Sequence, residues 1–335
     1  MTRAPTIHDV ARIAGVSKST VSRVLQNGEV SVAEETRQAV LDAMAQVGYS
    51  HNAIASSLRT SRTNMMMLVI PSIANPFWPS IAQSLQNTLV DAGYSLVFAN
   101  TDGKSSQERA LLAMARRNRF DAIALNPVDI PVSELKALGV PVVVLGLRRA
   151  YAELDQVGSD SYEGTRTGID YLLRKGHRRI GFIWGEPSAS ESRFRGYCDA
   201  LNAAQIALDD HFVARADYTM DGGRIATRRL LQQSERPTAI FASNDIMALA
   251  AIQEITALGL KVPDDISLLG MDDIEPAAMS TPALSTIGKD KVALGRKAAE
   301  LLLARINQKG TWEPQRIAVP CTLIERQTVG APIAP

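Results

Sequence analysis

The stretch Thr6–Arg23, TIHDVARIAGVSKSTVSR, decides how the N-terminal part of this chain folds. Apolar residues at Val10, Ala11, Ala14, Val16, Val21 and Val24 recur at spacings suited to two short helices packed face to face. Gly15 stands where the chain must turn sharply between them, and glycine takes a left-handed backbone without steric penalty. Ser17 then offers a side-chain oxygen to amides that have no partner in the first turn of the second helix. The free face of that helix carries Lys18, Ser19, Ser22 and Arg23, all hydrogen-bond formers. A helix presenting short donors and cations in this way suits a DNA major groove, as in a helix-turn-helix. The alternative is a solvated amphipathic helix pair.

The residues that follow favour the first reading. Ser31-Val32-Ala33-Glu34 has the spacing of a capping box, with Ser31 as the predicted cap. Val40, Leu41, Met44 and Val47 continue the helix, and Gly48 ends it. Then comes Tyr49-Ser50-His51-Asn52-Ala53-Ile54-Ala55-Ser56-Ser57-Leu58-Arg59. This segment resembles the hinge helix of the LacI/GalR (lactose-repressor) family of bacterial transcription regulators. The order VSxxTVSRVL, then GY, then NxxAxxL is similar to that family in residues and spacing, and the resemblance extends over essentially the whole chain.

Composition bounds the class. The 335 residues suffice for a small domain and a larger two-lobed one with buried cores. No apolar run approaches the ~20 residues that span a bilayer, and Met65–Ile70 is long enough only for a buried strand. The first residues show no signal-peptide pattern. Cys198 and Cys321 lack metal-ligand spacing and are expected to be reduced core residues, with neither metal nor cofactor implied. The net charge is only +1, but residues 1–28 hold four Lys/Arg against one Asp/Glu, so a cationic face is local. Two such faces in a dimer would double the phosphate contacts.

From Met65 onward the pattern alternates. Strands are expected at 65–70, 96–99, 122–125, 142–145, 180–184, 239–242 and 266–269. Helices are expected between most of them, at 78–92, 107–117, 163–174, 192–204, 222–233 and 246–257. Such alternation makes parallel sheets covered on both faces, and here two doubly wound lobes with ligand held at the strand carboxyl ends. The fold class is therefore an all-α helix-turn-helix domain plus an α/β two-lobed domain like the periplasmic binding proteins. The expected limits are residues 1–50 for the DNA-binding domain, 51–62 for the hinge helix and linker, and 63–330 for the effector domain. The resemblance implies lobes joined by crossovers, the first at 63–161 plus 289–320 and the second at 162–288 plus 321–330.

No catalytic constellation assembles. Gly103-Lys104-Ser105 echoes a phosphate loop, but Phe98 occupies the place of its first glycine. There is neither a GxSxG elbow nor an HExxH pair. His8 and His51 fall in the DNA-binding part, and His177 in RKGHRRIGFI reads as structural. The chain is not expected to be an enzyme.

The cleft residues come from the resemblance. Arg193, in SRFRGY, matches the family's effector-binding arginine, whose rigid fork suits vicinal hydroxyls or a carboxylate; the alternative is a lobe–lobe ion pair. Arg195 reads as solvated. Asn244 is implied to reach ligand while Asp245 caps the next helix, and Asp272 is implied to be a ligand-facing carboxylate, or part of a plain turn. Phe77, Trp78 and Tyr218 are implied aromatic walls for a sugar ring or a base, though each alone could be ordinary core. One departure stands out: several relatives place a ligand-touching aspartate where this chain has Gly146, which leaves a sugar acid open and makes Arg148 a further candidate.

On DNA, the resemblance places Lys18 and Ser19 at base-reading positions, with Arg23 a turn on. Thr6, Ser17, Thr20, Ser22 and Asn27 are assigned to phosphates. Asn52 and Ala55 are implied to look into the minor groove, with Leu58 as the wedge that kinks the duplex. A hinge so short and polar should order only when two copies pair on DNA, so effector binding can control it. These readings together expect a repressor of a carbohydrate or sugar-acid operon, homodimeric on a near-palindromic operator and cytoplasmic, associated with the nucleoid. No tetramerising helix is visible after Arg326. Two alternatives remain: a global regulator governed by a protein co-regulator, and a transport-type binding protein, which the 18–23 helix disfavours.

Overall fold

The computed structural model describes residues 5–25, 32–49, 62–185, 191–308 and 310–332. The chain divides into two compact units, Met1–Thr63 and Asn64–Pro335.

The first unit holds α1 (Ile7–Ile13), α2 (Lys18–Leu25) and α3 (Glu34–Val47). Thr6 opens α1, its amide and hydroxyl both reaching Asp9 Oδ2, at 2.9 and 2.7 Å. Gly15 adopts φ +65°, the left-handed turn that the sequence required. Ser17 Oγ accepts the Thr20 amide at 3.1 Å and so caps α2. Val10, Ala11, Val21, Val24, Val40 and Ala43 form the core of the three helices. Val10, Val21 and Val40 are fully buried, each contributing roughly 1.5–3 kcal/mol relative to exposure. The capping box predicted for Ser31 and Glu34 does not form as expected. Glu34 is the first helical residue and Ala33 sits at the cap, whereas a box needs the acid at the third helical position. Ser31 lies outside the described residues.

The second unit is built on two six-stranded sheets. Its elements are β1 (Met65–Ile70), α4 (Phe77–Asp91), β2 (Ser95–Asn100), α5 (Ser105–Arg117), β3 (Ala122–Leu125), α6 (Val132–Lys136), β4 (Val142–Leu145) and β5 (Asp155–Ser159). The chain then crosses over to α7 (Ser161–Arg174), β6 (Ile180–Gly185), α8 (Glu191–Ala203), β7 (Val213–Ala216), α9 (Met220–Leu231) and β8 (Ala239–Ala242). It continues through α10 (Asp245–Ala257), β9 (Ser267–Asp272), α11 (Glu275–Met279) and β10 (Ser285–Lys289). Finally come α12 (Lys291–Asn307), β11 (Arg316–Val319) and β12 (Cys321–Ile324). The first sheet runs β11-β5-β4-β3-β1-β2 and the second β12-β10-β9-β8-β6-β7. Every pairing is parallel except β10 with β12.

Three crossovers join the lobes, at Asp160, at Asp290 and at Pro320. After the second, α12 packs back on α4 across the first sheet: Leu294, Ala298, Leu301 and Leu302 bury against Ile81, Leu85 and Leu89. The approach depends on Gly295, where a Cβ would lie 2.5 Å from the Ile81 carbonyl oxygen. Among the described residues no helix is long and apolar enough to cross a membrane.

The sequence reading missed five strands, β5, β7, β10, β11 and β12, and the helices α6, α11 and α12. Two of the strands hide for a common reason. β5 (DQVGS) and β10 (STIGK) are too polar to read as strands, yet nearly all their residues are buried. Their charged groups are paired inside: Asp155 is held by Arg305 and Lys289 by Asp272.

Candidate functional site

On the first unit, α2 turns Val21 and Val24 inward and leaves Lys18, Ser19 and Arg23 exposed on one face. The Ser17 hydroxyl also lies 2.7 Å from that of Ser19 and 2.8 Å from that of Thr20. These short groups are thereby held in a fixed array at the start of the helix. Ser22 is half-buried beside them. Asn27, Asn52, Ala55 and Leu58 lie outside the described residues.

On the second unit, strand carboxyl ends from both lobes line one cleft of about 1590 Å³. It brings together all six effector-binding candidates, Phe77, Trp78, Arg193, Tyr218, Asn244 and Asp272. Phe77 and Trp78 open α4, their rings meeting edge to face at 5.0 Å. From the other lobe, Arg193 at the start of α8 donates to the Tyr218 hydroxyl at 2.7 Å and to the Met271 sulfur at 3.2 Å. Tyr218 itself has φ +66°, and its ring lies directly over Gly185, where any Cβ would overlap it.

Asp272 ends β9 and is not a free carboxylate. Its Oδ1 accepts from Lys289 Nζ at 2.8 Å, and both side chains are at most 5% exposed. The Lys289 ammonium also stands 5.2 Å from the centre of the Phe77 ring, across the cleft. Burial, and then the positive charge of Arg193, lower the Lys289 pKa, while Asp272 opposes them. Lys289 is a charged cleft residue that the sequence reading missed. Its one signal was a lysine at the end of an alternating segment, STIGK, immediately before a crossover.

The backbone here is unusual. Asp272 and Asp273 have φ of +127° and +55°, consecutive positive values that cost non-glycine residues energy. Lys291 holds the turn by donating to the carbonyls of Asp273, Asp272 and Lys289 at 2.6, 3.0 and 3.4 Å. Arg326 adds an ion pair to Asp273 at 2.7 Å.

Two assignments are corrected. The helix cap was expected at Asp245. In the structure Asn244, extended at φ −151°, is itself the cap, accepting the Met247 amide at 2.9 Å while it lines the cleft. Asp245 turns inward, accepting from Thr286 Oγ1 at 2.6 Å and from the Ile274 amide at 2.9 Å. Arg195 is exposed but not merely solvated, since its guanidinium stacks 4.7 Å from the Tyr162 ring. His177 is structural, its two ring nitrogens bonded at 3.0 Å to the Thr238 hydroxyl and the Gly330 carbonyl.

Asp245 predicts a pH dependence. Burial, and then the neighbouring Asp272 charge, push its carboxyl up to about 7, against about 3.9 when unfolded. A raised carboxyl pKa favours the protonated native form, so its contribution is complete below the unfolded value and lost as pH rises through about 7. Asp245→Asn should flatten that loss between pH 5 and 8, measured as urea midpoints. An unchanged slope in the variant would sink the assignment.

A helix-turn-helix on one unit and a charged, aromatic cleft between two α/β lobes on the other define a class, the DNA-binding regulators that read a small ligand. The comparisons agree. Residues 6–52 match the family described as bacterial regulatory proteins, lacI family, and residues 169–329 match the periplasmic binding protein-like domain. The chain is 37% identical over 331 residues to the HTH-type transcriptional repressor PurR of Pectobacterium carotovorum subsp. carotovorum (strain PC1), covering 97% of this chain and 96% of that protein. It is 36% identical over 331 residues to PurR of Escherichia coli O1:K1 / APEC, with the same coverage. Among solved structures, the lac repressor dimer bound to operator and the anti-inducer ONPF matches with a TM-score of 0.84 at 27% identity, over 98% of this chain and 100% of that one. The complex of the transcriptional regulator CelR with cellobiose matches with a TM-score of 0.74 at 31% identity, over 97% and 99%. The chain belongs to the lacI family of bacterial regulatory proteins and is a DNA-binding transcriptional regulator.

Proposed function

We propose that this chain represses a carbohydrate or sugar-acid utilisation operon in the cytoplasm, controlled by a small polar effector held between its lobes. The observation that carries the reading is the cleft, where Arg193, Tyr218, Asn244 and Asp272 converge with the aromatic pair Phe77 and Trp78. Arginine and carboxylate give directional bonds to hydroxyls or acids, and aromatic faces stack on the apolar side of a ring. Two structural neighbours, the CelR–cellobiose complex and a LacI family regulator from Enterococcus faecium with bound ribose, hold sugars, which favours a sugar. A flat heterocycle would also suit the aromatic walls, so nucleobases belong in any ligand panel.

On DNA, Lys18 and Ser19 read base edges and Arg23 supports them a turn later. Thr6, Ser17, Thr20, Ser22 and Asn27 fix the register on phosphates, while Asn52, Ala55 and Leu58 act in the minor groove. One half-site per helix-turn-helix makes the operator near-palindromic and the protein a homodimer. Support for the dimer comes from the edge strand β2, which exposes Val97 and Phe98, with Val90 exposed at the end of α4.

The test is fluorescence anisotropy on DNA from the protein's own upstream region, titrated at fixed salt with sugars, sugar acids and nucleobases. One compound is expected to shift the affinity, and the direction of the shift separates induction from corepression. DNA binding that no compound alters would instead favour control by a protein co-regulator. In the same assay Lys18→Ala should cost roughly 1–2 kcal/mol on the operator and far less on random DNA. Equal losses on both would reassign Lys18 to phosphate.

A further inference from the structure

Two arginines face the cleft from opposite lobes, neither in an ion pair with a carboxylate among the described residues. Arg148 follows β4 in the first lobe, and Arg193 begins α8 in the second. Arg148 donates to the Pro127 carbonyl at 2.6 Å and to Asn126 Oδ1 at 3.3 Å, both neutral. Arg193 is held by the Tyr218 hydroxyl and the Met271 sulfur, also neutral. Among the described residues, no carboxylate lies within ion-pairing distance of either. Neither side chain can shed its proton in a protein, so both walls stay charged. Each guanidinium also keeps N–H donors unused, from the five that it carries.

The carboxylates of the described lining stand outside ion-pairing distance of these two arginines. Four exposed carboxylates of the lining, Asp102, Asp129, Glu191 and Asp217, outnumber its three exposed cations, Arg149, Arg195 and Arg316. Deeper in, the carboxylates are engaged: Asp272 with Lys289, and Asp160 in capping α7 by accepting the Glu163 amide at 3.2 Å. Gly146 gives the Arg148 wall no side-chain acceptor, although a Cβ there would stand 3.9 Å from Arg148 Nε. Burial lowers the Arg148 pKa, Tyr151, Tyr218 and the Glu108 carboxylate oppose it, and the charge of Arg193 adds a smaller lowering.

We propose that the effector is a small organic anion whose carboxylate or phosphate sits between Arg148 and Arg193, so that ligand charge draws the two lobes together. The proposal rests on the effector-cleft reading above and names the chemical class that the cleft accepts. Arg148 is then a specificity-determining residue: without an anion the two guanidiniums repel across the cleft, and with one they share it through charge-assisted bonds. A neutral sugar would leave that repulsion in place.

The test uses the full chain and the variants Arg148→Gln and Arg193→Gln. Isothermal titration calorimetry compares D-galacturonate, D-gluconate and glucose 6-phosphate with neutral galactose, ribose, cellobiose and hypoxanthine. Anionic members are expected to bind, with sugar acids against the sugar phosphate telling which anion is native. Arg148→Gln should weaken that binding about tenfold or more. A second measurement needs no native ligand: inorganic phosphate at fixed ionic strength should raise Tm for the parent protein more than for either variant. Neutral compounds binding equally to the parent and Arg148→Gln, or phosphate protecting all three proteins alike, overturns the proposal. The broader reading fails separately, when no compound of either charge changes affinity for operator DNA.

Discussion

Arg305→Met is expected to destabilise the two-lobed unit by about 3–5 kcal/mol, the usual cost of stranding one member of a buried ion pair. Arg305 Nε and Nη2 reach the two oxygens of Asp155 at 2.8 and 3.0 Å, and the side chains are 6% and 1% exposed. The same arginine donates to Gln308 Oε1 at 2.8 Å and to the Glu313 carbonyl at 3.0 Å, while Asp155 also accepts the Gln315 amide at 2.7 Å. The pair thus ties α12 and the segment entering β11 to the polar strand β5, close to the first crossover. Compare Lys136–Glu153, which is shorter at 2.6 Å but has side chains 50% and 71% exposed. Water screens that pair, and its removal should leave stability nearly unchanged. Burial, not distance, decides which ion pair matters. Trp78, Trp184 and Trp312 are the only tryptophans of the chain, and all lie in this unit. Urea unfolding followed by their emission therefore reports on it alone. A loss below ~1 kcal/mol for Arg305→Met would refute the argument, whereas Arg305→Met with Asp155→Leu should recover most of the stability.

The contrast between those two ion pairs also explains what could be read from the sequence. Periodicity found the DNA-binding helices because Val10, Val21, Val24 and Val40 serve a local core, and their spacing is the fold. It found the strands whose residues are uniformly apolar, such as β1 (MMMLVI) and β4 (VVVL), since nothing but burial explains such runs. It failed at β5 and β10, where a buried charge is neutralised by a residue far along the chain, 150 positions away for Asp155 and Arg305. Pattern reading sees only neighbours, so a charge satisfied at long range looks like a loop. The same blindness shaped the site. Motif resemblance located Arg193, Tyr218 and Asp272, but Lys289, the partner of Asp272, comes from a separate strand that only the folded sheet brings beside it. The helix cap was placed one residue late, at Asp245 instead of Asn244, because either residue type caps a helix, and backbone geometry alone shows which one does.

Lys289 gives the other large expected effect, and it carries a signature that simple loss of packing would not. Asp272 is the main support for the charged form of a lysine that burial and Arg193 both disfavour. Asp272→Ala should therefore be destabilised by about 3–5 kcal/mol at neutral pH, where the ammonium is stranded. In that variant the native lysine's pKa falls further below its unfolded value of about 10.4. A base with a depressed folded pKa binds fewer protons when native, so stability rises with pH until the unfolded lysine also loses its proton. Asp245 acts in the same sense, because removing the Asp272 charge lowers its raised pKa and reduces the stability that it loses towards pH 7. Urea midpoints of Asp272→Ala should hence climb between pH 6 and 9 relative to the parent protein. Lys289→Met combined with Asp272→Leu should recover stability and lose the lysine part of this pH dependence, keeping only the part that arises from Asp245 below about pH 7, with a coupling energy of about 2 kcal/mol or more in the double-mutant cycle. Additive single losses and parallel pH profiles would mean that the two side chains act independently. Recovery of folding in the double variant also separates the pair's two roles. Such a protein stays folded but has neither the carboxylate nor the ammonium in its cleft, so any change in its effector response belongs to recognition and not to stability.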